Sequence, residues 1–183
     1  MRNQAPAVLP RQRRSERGVS LLETVIALSI LLVGSLGLLP LGIMAVSTTE
    51  SEGHLVSRVT EYSQDKMEQL LALAYADVST DTRVFPATIS GGTGLNPVPG
   101  GSSTPAAAVA GYVDYLNATG DLIPSTGTTA PVGWFYKRVW KIEYPPGTTG
   151  IKKVTVATVV ARRVGAFGIV PQATIVALKT FPF

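Results

Sequence analysis

The chain has no cysteine among its 183 residues, which excludes a disulfide framework, a thiolate nucleophile and a Cys-ligated metal. A folded domain without disulfides must be held by its core. Histidine occurs once, as His54, so there is no histidine pair for a metal site, and a solvated helix residue is expected there. Charge is also scarce, at 15% of residues against 45% hydrophobic. The formal net charge is +4, yet the surplus lies in the first eighteen residues, where Arg2, Arg11, Arg13, Arg14 and Arg17 face only Glu16. Removing those leaves 11 basic and 11 acidic residues in the other 165, so the remainder is formally neutral. A nucleic-acid interface needs its arginines on the folded surface, and none is expected here.

Catalytic patterns are missing too. There is no G-x-S-x-G elbow and no glycine-rich phosphate loop with a lysine, since Gly91-Gly92-Thr93-Gly94 lacks both a preceding core strand and that lysine. Acidic residues beyond residue 77 are scattered. No enzyme, no cofactor and no metal are therefore expected. The length suits one folded head plus an extended segment.

What is present is a long apolar run. No charged side chain occurs from Thr24 to Val46, and the 22 residues Val25 to Val46 make a helix of ~33 Å, enough to span a bilayer. Arginines precede the run and Glu50 and Glu52 follow it, which keeps the N-terminus in the cytoplasm and turns the C-terminal head outward. A secretory signal has an apolar region of only ~7–15 residues, although Ala45-Val46-Ser47 keeps conventional cleavage as an alternative. The Arg13-Arg14 pair fits a twin-arginine signal poorly, because the charged Ser15-Glu16-Arg17 step follows it.

At the junction, Arg17-Gly18-Val19-Ser20-Leu21-Leu22-Glu23, a basic leader meets the apolar run with one carboxylate just inside it. A carboxylate there is costly to insert and needs either a partner or an interfacial position near the positive helix N-terminus. The sequence G-V-S-L-L-E resembles the cleavage and methylation signature of type IV prepilins and type II secretion pseudopilins, with Val19 where phenylalanine is usual. The resemblance implies cleavage between Gly18 and Val19 by a prepilin peptidase, N-methylation of Val19, and pairing of Glu23 with the terminal amine of a neighbouring subunit. It also gives Pro40 the role of a helix break, with Gly34, Gly37 and Gly42 weakening the same stretch. The implied partners are that peptidase/methyltransferase, other major and minor pilins, the inner-membrane assembly machinery and membrane lipid. The implied location is a single inner-membrane pass with a periplasmic head, followed by a filament.

Beyond the run, Leu55, Val59, Tyr62, Leu70 and Ala74 recur at helical spacing, so one helix is expected from 19 to about 76. Loop 86–105 follows, with 15 of 20 residues Gly, Pro, Ser or Thr, and reads as a flexible insertion. Strands are expected at Tyr112 to Leu116, Trp134 to Tyr144, Ile151 to Val160 and Thr174 to Phe181. Trp134, Tyr136, Trp140, Ile142 and Tyr144 share the core face of the second, opposite Lys137, Lys141 and Glu143, and Val154, Val156 and Val160 share a face of the third. Arg138 and Arg162 interrupt these faces and are assigned to a rim. The segment Gly133 to Val160 is similar to the heads of PilV-like minor pilins.

The fold class is α+β: a long N-terminal spine helix, its first half transmembrane, with an antiparallel sheet head packed on its second half. The expected layout is a cleaved leader at 1–18, a membrane and assembly half at 19–46, an amphipathic half at 47–76 and a head at 77–183. A minor pilin is the favoured reading, with a type II secretion pseudopilin and a simple membrane-anchored binding domain as alternatives.

Overall fold

The computed structural model describes residues 20–161 and 170–181, with the backbone alone at 47–51. Gly18, Val19 and Arg162 lie outside these residues. The chain divides into two compact units between Met44 and Ala45.

One long helix, α1, runs from Leu21–Ala72. In the first unit its side chains are apolar all round, and Leu21–Val46 is long and apolar enough to cross a membrane, with a mean hydropathy of 2.3 and no buried residue. Two of its hydroxyls are absorbed by the helix itself: Thr24 Oγ1 donates to Leu21 O at 2.8 Å and Ser29 Oγ to Val25 O at 2.8 Å. Pro40 lies inside α1, which continues through it as helix. A proline removes one backbone donor, and the flanking turns supply enough bonds to carry the helix across it.

In the second unit the same helix becomes one-sided. Val59, Tyr62, Ser63, Lys66, Met67 and Leu70 are buried at spacings of three and four, which marks the face that meets the sheet. The helix ends at Ala72, earlier than the expected 76, and Ala74 is exposed. Its last turn contains no basic residue. Two lysines from the sheet meet this end: Lys179 Nζ donates to Leu71 O at 2.6 Å, a carbonyl of the last turn, and Lys152 Nζ to Tyr75 O at 2.7 Å just beyond it.

The sheet comprises β1 (Val113–Leu116), β2 (Leu122–Ile123), β3 (Tyr136–Glu143), β4 (Ile151–Val160) and β5 (Gln172–Thr180). All neighbours are antiparallel, in the order β2-β1-β3-β4-β5. This is the expected α+β arrangement of a long N-terminal helix and an antiparallel sheet. Met67 and Leu70 pack with Tyr112, Trp140, Ile142, Val154 and Val156, while Val59 and Tyr62 pack with Leu116, Tyr136 and Val160. Strand β2 was not expected; two residues are too few to show a period.

Two expectations are corrected here. The sheet is not apolar on one face only, because Val113, Tyr115, Val139 and Ala157 form a further buried cluster with Ala108 and Trp134. Loop 86–105 is not a free insertion. Strand β3 has eight residues and β1 only four, so the backbone of Trp140 to Ile142 needs another partner. The loop supplies it: Ile142 N donates to Gly100 O at 2.6 Å and Ser102 N to Trp140 O at 3.1 Å. At Gly101 (φ +77°) a Cβ would collide with the Trp140 carbonyl and the Tyr112 ring, so only glycine permits this approach. Leu95 is fully buried and its N–H reaches Asp77 O at 2.8 Å.

Candidate functional site

Glu23 occupies the first turn of α1 and is exposed among exposed apolar side chains, Leu22 and Ile26. It is the one acidic residue of that turn, at the positive end of the helix, where a carboxylate is favoured. Pro40 lies inside the same helix with no charged side chain between the two. Of the residues expected at the processing and assembly site, the described structure therefore holds Glu23 and Pro40, and among the described residues it brings no other charge to Glu23. His54 is exposed on α1, as expected of a solvated residue.

The head contains a second constellation that sequence reasoning missed. Asp114 on β1 is fully buried and accepts from Arg138 on β3 through both oxygens, Nε to Oδ1 at 2.7 Å and Nη2 to Oδ2 at 2.8 Å. Lys66 of α1, also fully buried, lies 2.9 Å from Asp114 Oδ2. Its ammonium also donates to Thr82 O at 2.7 Å and Thr82 Oγ1 at 2.8 Å, and sits 4.0 Å from the centre of the Trp140 ring. Arg138 is thus buried at 4% exposure, which corrects its assignment to a rim. A guanidinium on an apolar face is tolerated here because a bidentate carboxylate awaits it from the adjacent strand.

Two cations share one carboxylate in this cluster. Burial drives the Lys66 ammonium down to about 8, because attraction to Asp114 does not recover all the lost hydration. Burial also opposes ionisation of Asp114, but Arg138 and Lys66 outweigh it and hold the carboxyl below its ordinary value. Helix α1, strands β1 and β3 and the loop at Thr82 are thereby tied at one point. The signal for it was spacing: Lys66 lies four residues from both Tyr62 and Leu70, and Arg138 lies two from Tyr136 and Trp140.

Beside the cluster a groove of about 480 Å³ is lined by Tyr62, Asp65, Phe85, Asp121, Leu122 and Arg138. Asp121 is held by Asn117 Nδ2 at 3.0 Å and Thr119 Oγ1 at 2.6 Å, which keep its carboxylate below the usual range. Among the described residues, no three His, Asp or Glu side chains converge on a cation-sized space.

Comparison with known proteins matches one end of the molecule. No curated protein and no solved structure matches the chain. Residues 13–39 match the family described as the Prokaryotic N-terminal methylation motif, a span that holds Gly18, Val19, Glu23 and most of the apolar run. The chain thus carries a prepilin-type methylation motif on an apolar N-terminal helix, which supports its placement among type IV pilin and pseudopilin precursors.

Proposed function

We propose that the protein is a structural subunit, a minor pilin, of a type IV pilus or related filament. The observation that carries this reading is the methylation motif at residues 13–39 laid over an exposed apolar helical segment, Leu21–Val46, whose one carboxylate is Glu23. In this reading residues 1–18 are a basic leader removed after Gly18. Glycine leaves the backbone unobstructed in the peptidase, and Val19 becomes the methylated terminus. Residues 19–46 hold the subunit in the inner membrane with the head in the periplasm, and later in the filament. Residues 47–76 and 77–183 form the amphipathic half and the head.

Cleavage creates an ammonium at Val19, and in an apolar assembly the Glu23 carboxylate of an incoming subunit neutralises the amine of its neighbour. Pro40 marks where α1 would melt on assembly, since its missing donor makes that turn the least supported. Partners are the prepilin peptidase/methyltransferase, other pilins, the assembly machinery and lipid. The motif is shared with type II secretion pseudopilins; the similarity of Gly133 to Val160 to PilV-like heads favours the pilus.

The test is the intact mass and N-terminal residue of protein extracted from membranes of cells that contain a prepilin peptidase. N-methylated Val19 is expected. A start near Ser47, or an uncut Met1, would refute the reading. The variant Glu23→Ala should be inserted and cleaved yet fail to enter filaments; normal incorporation would remove the role given to Glu23.

A further inference from the structure

Strand β5 ends the sheet, and among the described residues β4 is its one strand neighbour. Two backbone bonds bracket the β4–β5 ladder: Val160 N donates to Pro171 O at 3.2 Å and Phe181 N to Gly150 O at 2.9 Å. Register is unbroken between them, from Ile151 opposite Thr180 to Val159 opposite Gln172. In an antiparallel ladder alternate residues point their backbone groups at the neighbour. Ala173, Ile175, Ala177 and Lys179 therefore face β4, while Gln172, Thr174, Val176, Leu178 and Thr180 aim N–H and C=O at the open edge.

Those same five residues carry the exposed side chains of the strand, Val176 at 53% and Leu178 at 62%. Within the strand itself the usual protections of an edge are missing. There is no proline within β5 and no charge on its exposed face, and its one lysine, Lys179, is turned back to Leu71 O.

We propose that β5 pairs antiparallel with β5 of a second copy of this chain, centred on Val176. Backbone bonds across the edge require outward-facing residues opposite one another on the two strands, a condition that a centre on Val176 meets. Centring on Val176 uses the whole strand, placing Val176 opposite itself, Thr174 opposite Leu178 and Gln172 opposite Thr180. Every pair on the exposed face is uncharged, whereas a partner strand bearing charge there would have to desolvate it against Val176 and Leu178. The inference rests on the head alone and stands apart from the filament reading.

The absence of cysteine makes the test direct in the full chain in detergent micelles. Opposite residues of a hydrogen-bonded pair lie about 5.5 Å apart at Cα, within disulfide range, so Val176→Cys should form a covalent dimer under mild oxidation. Thr174→Cys alone should cross-link several-fold less, because its counterpart is displaced by four residues, roughly 13 Å. Mixing Thr174→Cys with Leu178→Cys should restore the cross-link. Val176→Pro deletes an outward N–H and spares the ladder to β4, so the circular dichroism of the head should persist while light scattering reports a monomer. A Val176→Cys chain that stays monomeric, with a readily alkylated thiol, would overturn the proposal. So would cross-linking of Thr174→Cys alone to the same extent as Val176→Cys, or a Val176→Pro chain that remains dimeric.

Discussion

The two halves of α1 share a backbone conformation and differ in what their side chains meet. From Leu21 to Val46 the apolar groups are distributed around the whole helix and stand open, with Leu32 at 62% and Val33 at 71% exposure. From Val59 to Leu70 they occupy one face, and Val59 and Leu70 are fully buried. An all-round apolar helix has no face to bury against a single sheet and requires an apolar solvent or a ring of neighbours. A one-sided helix is completed by its own head. An all-round apolar stretch and a one-sided one thus lie end to end along one element.

The largest effect on that contrast is expected from Asp114→Ala. It strands Lys66 and Arg138 as unpaired buried cations and should cost about 3–5 kcal/mol of head stability, read by urea unfolding followed through tryptophan fluorescence. A loss under ~1 kcal/mol would show that the cluster is not what ties α1 to β1 and β3.

Next in size is a paired substitution along the helix. Leu70→Ala should cost about 2–5 kcal/mol through the cavity it opens beside Trp140 and Val156. Leu32→Ala, in micelles, should leave head unfolding within about 0.5 kcal/mol. Equal effects would erase the distinction between the halves.

A smaller effect follows from Lys66. Its ammonium titrates near 8 in the folded head and at 10.5 when unfolded, so between these values the unfolded chain holds more protons. Stability should therefore rise with pH across that window, by on the order of 3 kcal/mol, and be independent of this group below it. Neutral Lys66 leaves Asp114 and Arg138 as a balanced pair. Lys66→Met should flatten the rise, and a rise that survives it would assign the effect to other groups. Smallest is Lys179→Ala, which frees the Leu71 carbonyl at the end of α1 and should cost about 1 kcal/mol by thermal unfolding.

Much of the head was legible from period alone. Strand β4 was expected at Ile151 to Val160 and occupies those residues, because alternating valines over ten positions leave one register. The core faces of α1 and β3 followed from Tyr62, Leu70, Trp140 and Ile142 in the same way. Lys66, Asp114 and Arg138 were not legible as a site. Spacing puts Lys66 and Arg138 on core faces, but burial of their charge becomes favourable only when a helix and two strands bring both within 3 Å of Asp114. Loop 86–105 escaped for a related reason: glycine and proline mark the loss of regular structure, but not the unpaired stretch of β3 that the loop satisfies.

Contiguous residues alone carry the basic N-terminal segment, the motif across Gly18 and Val19, the lone Glu23 and the apolar run. Membrane insertion and recognition of a short motif act on neighbouring residues before any folded contact exists. Where charge could be buried and which stretch of β3 the loop closes were settled by the folded head. Those outcomes depend on groups far apart in the chain, Lys66 and Asp114 or Gly101 and Lys141, whose interaction has no local signature.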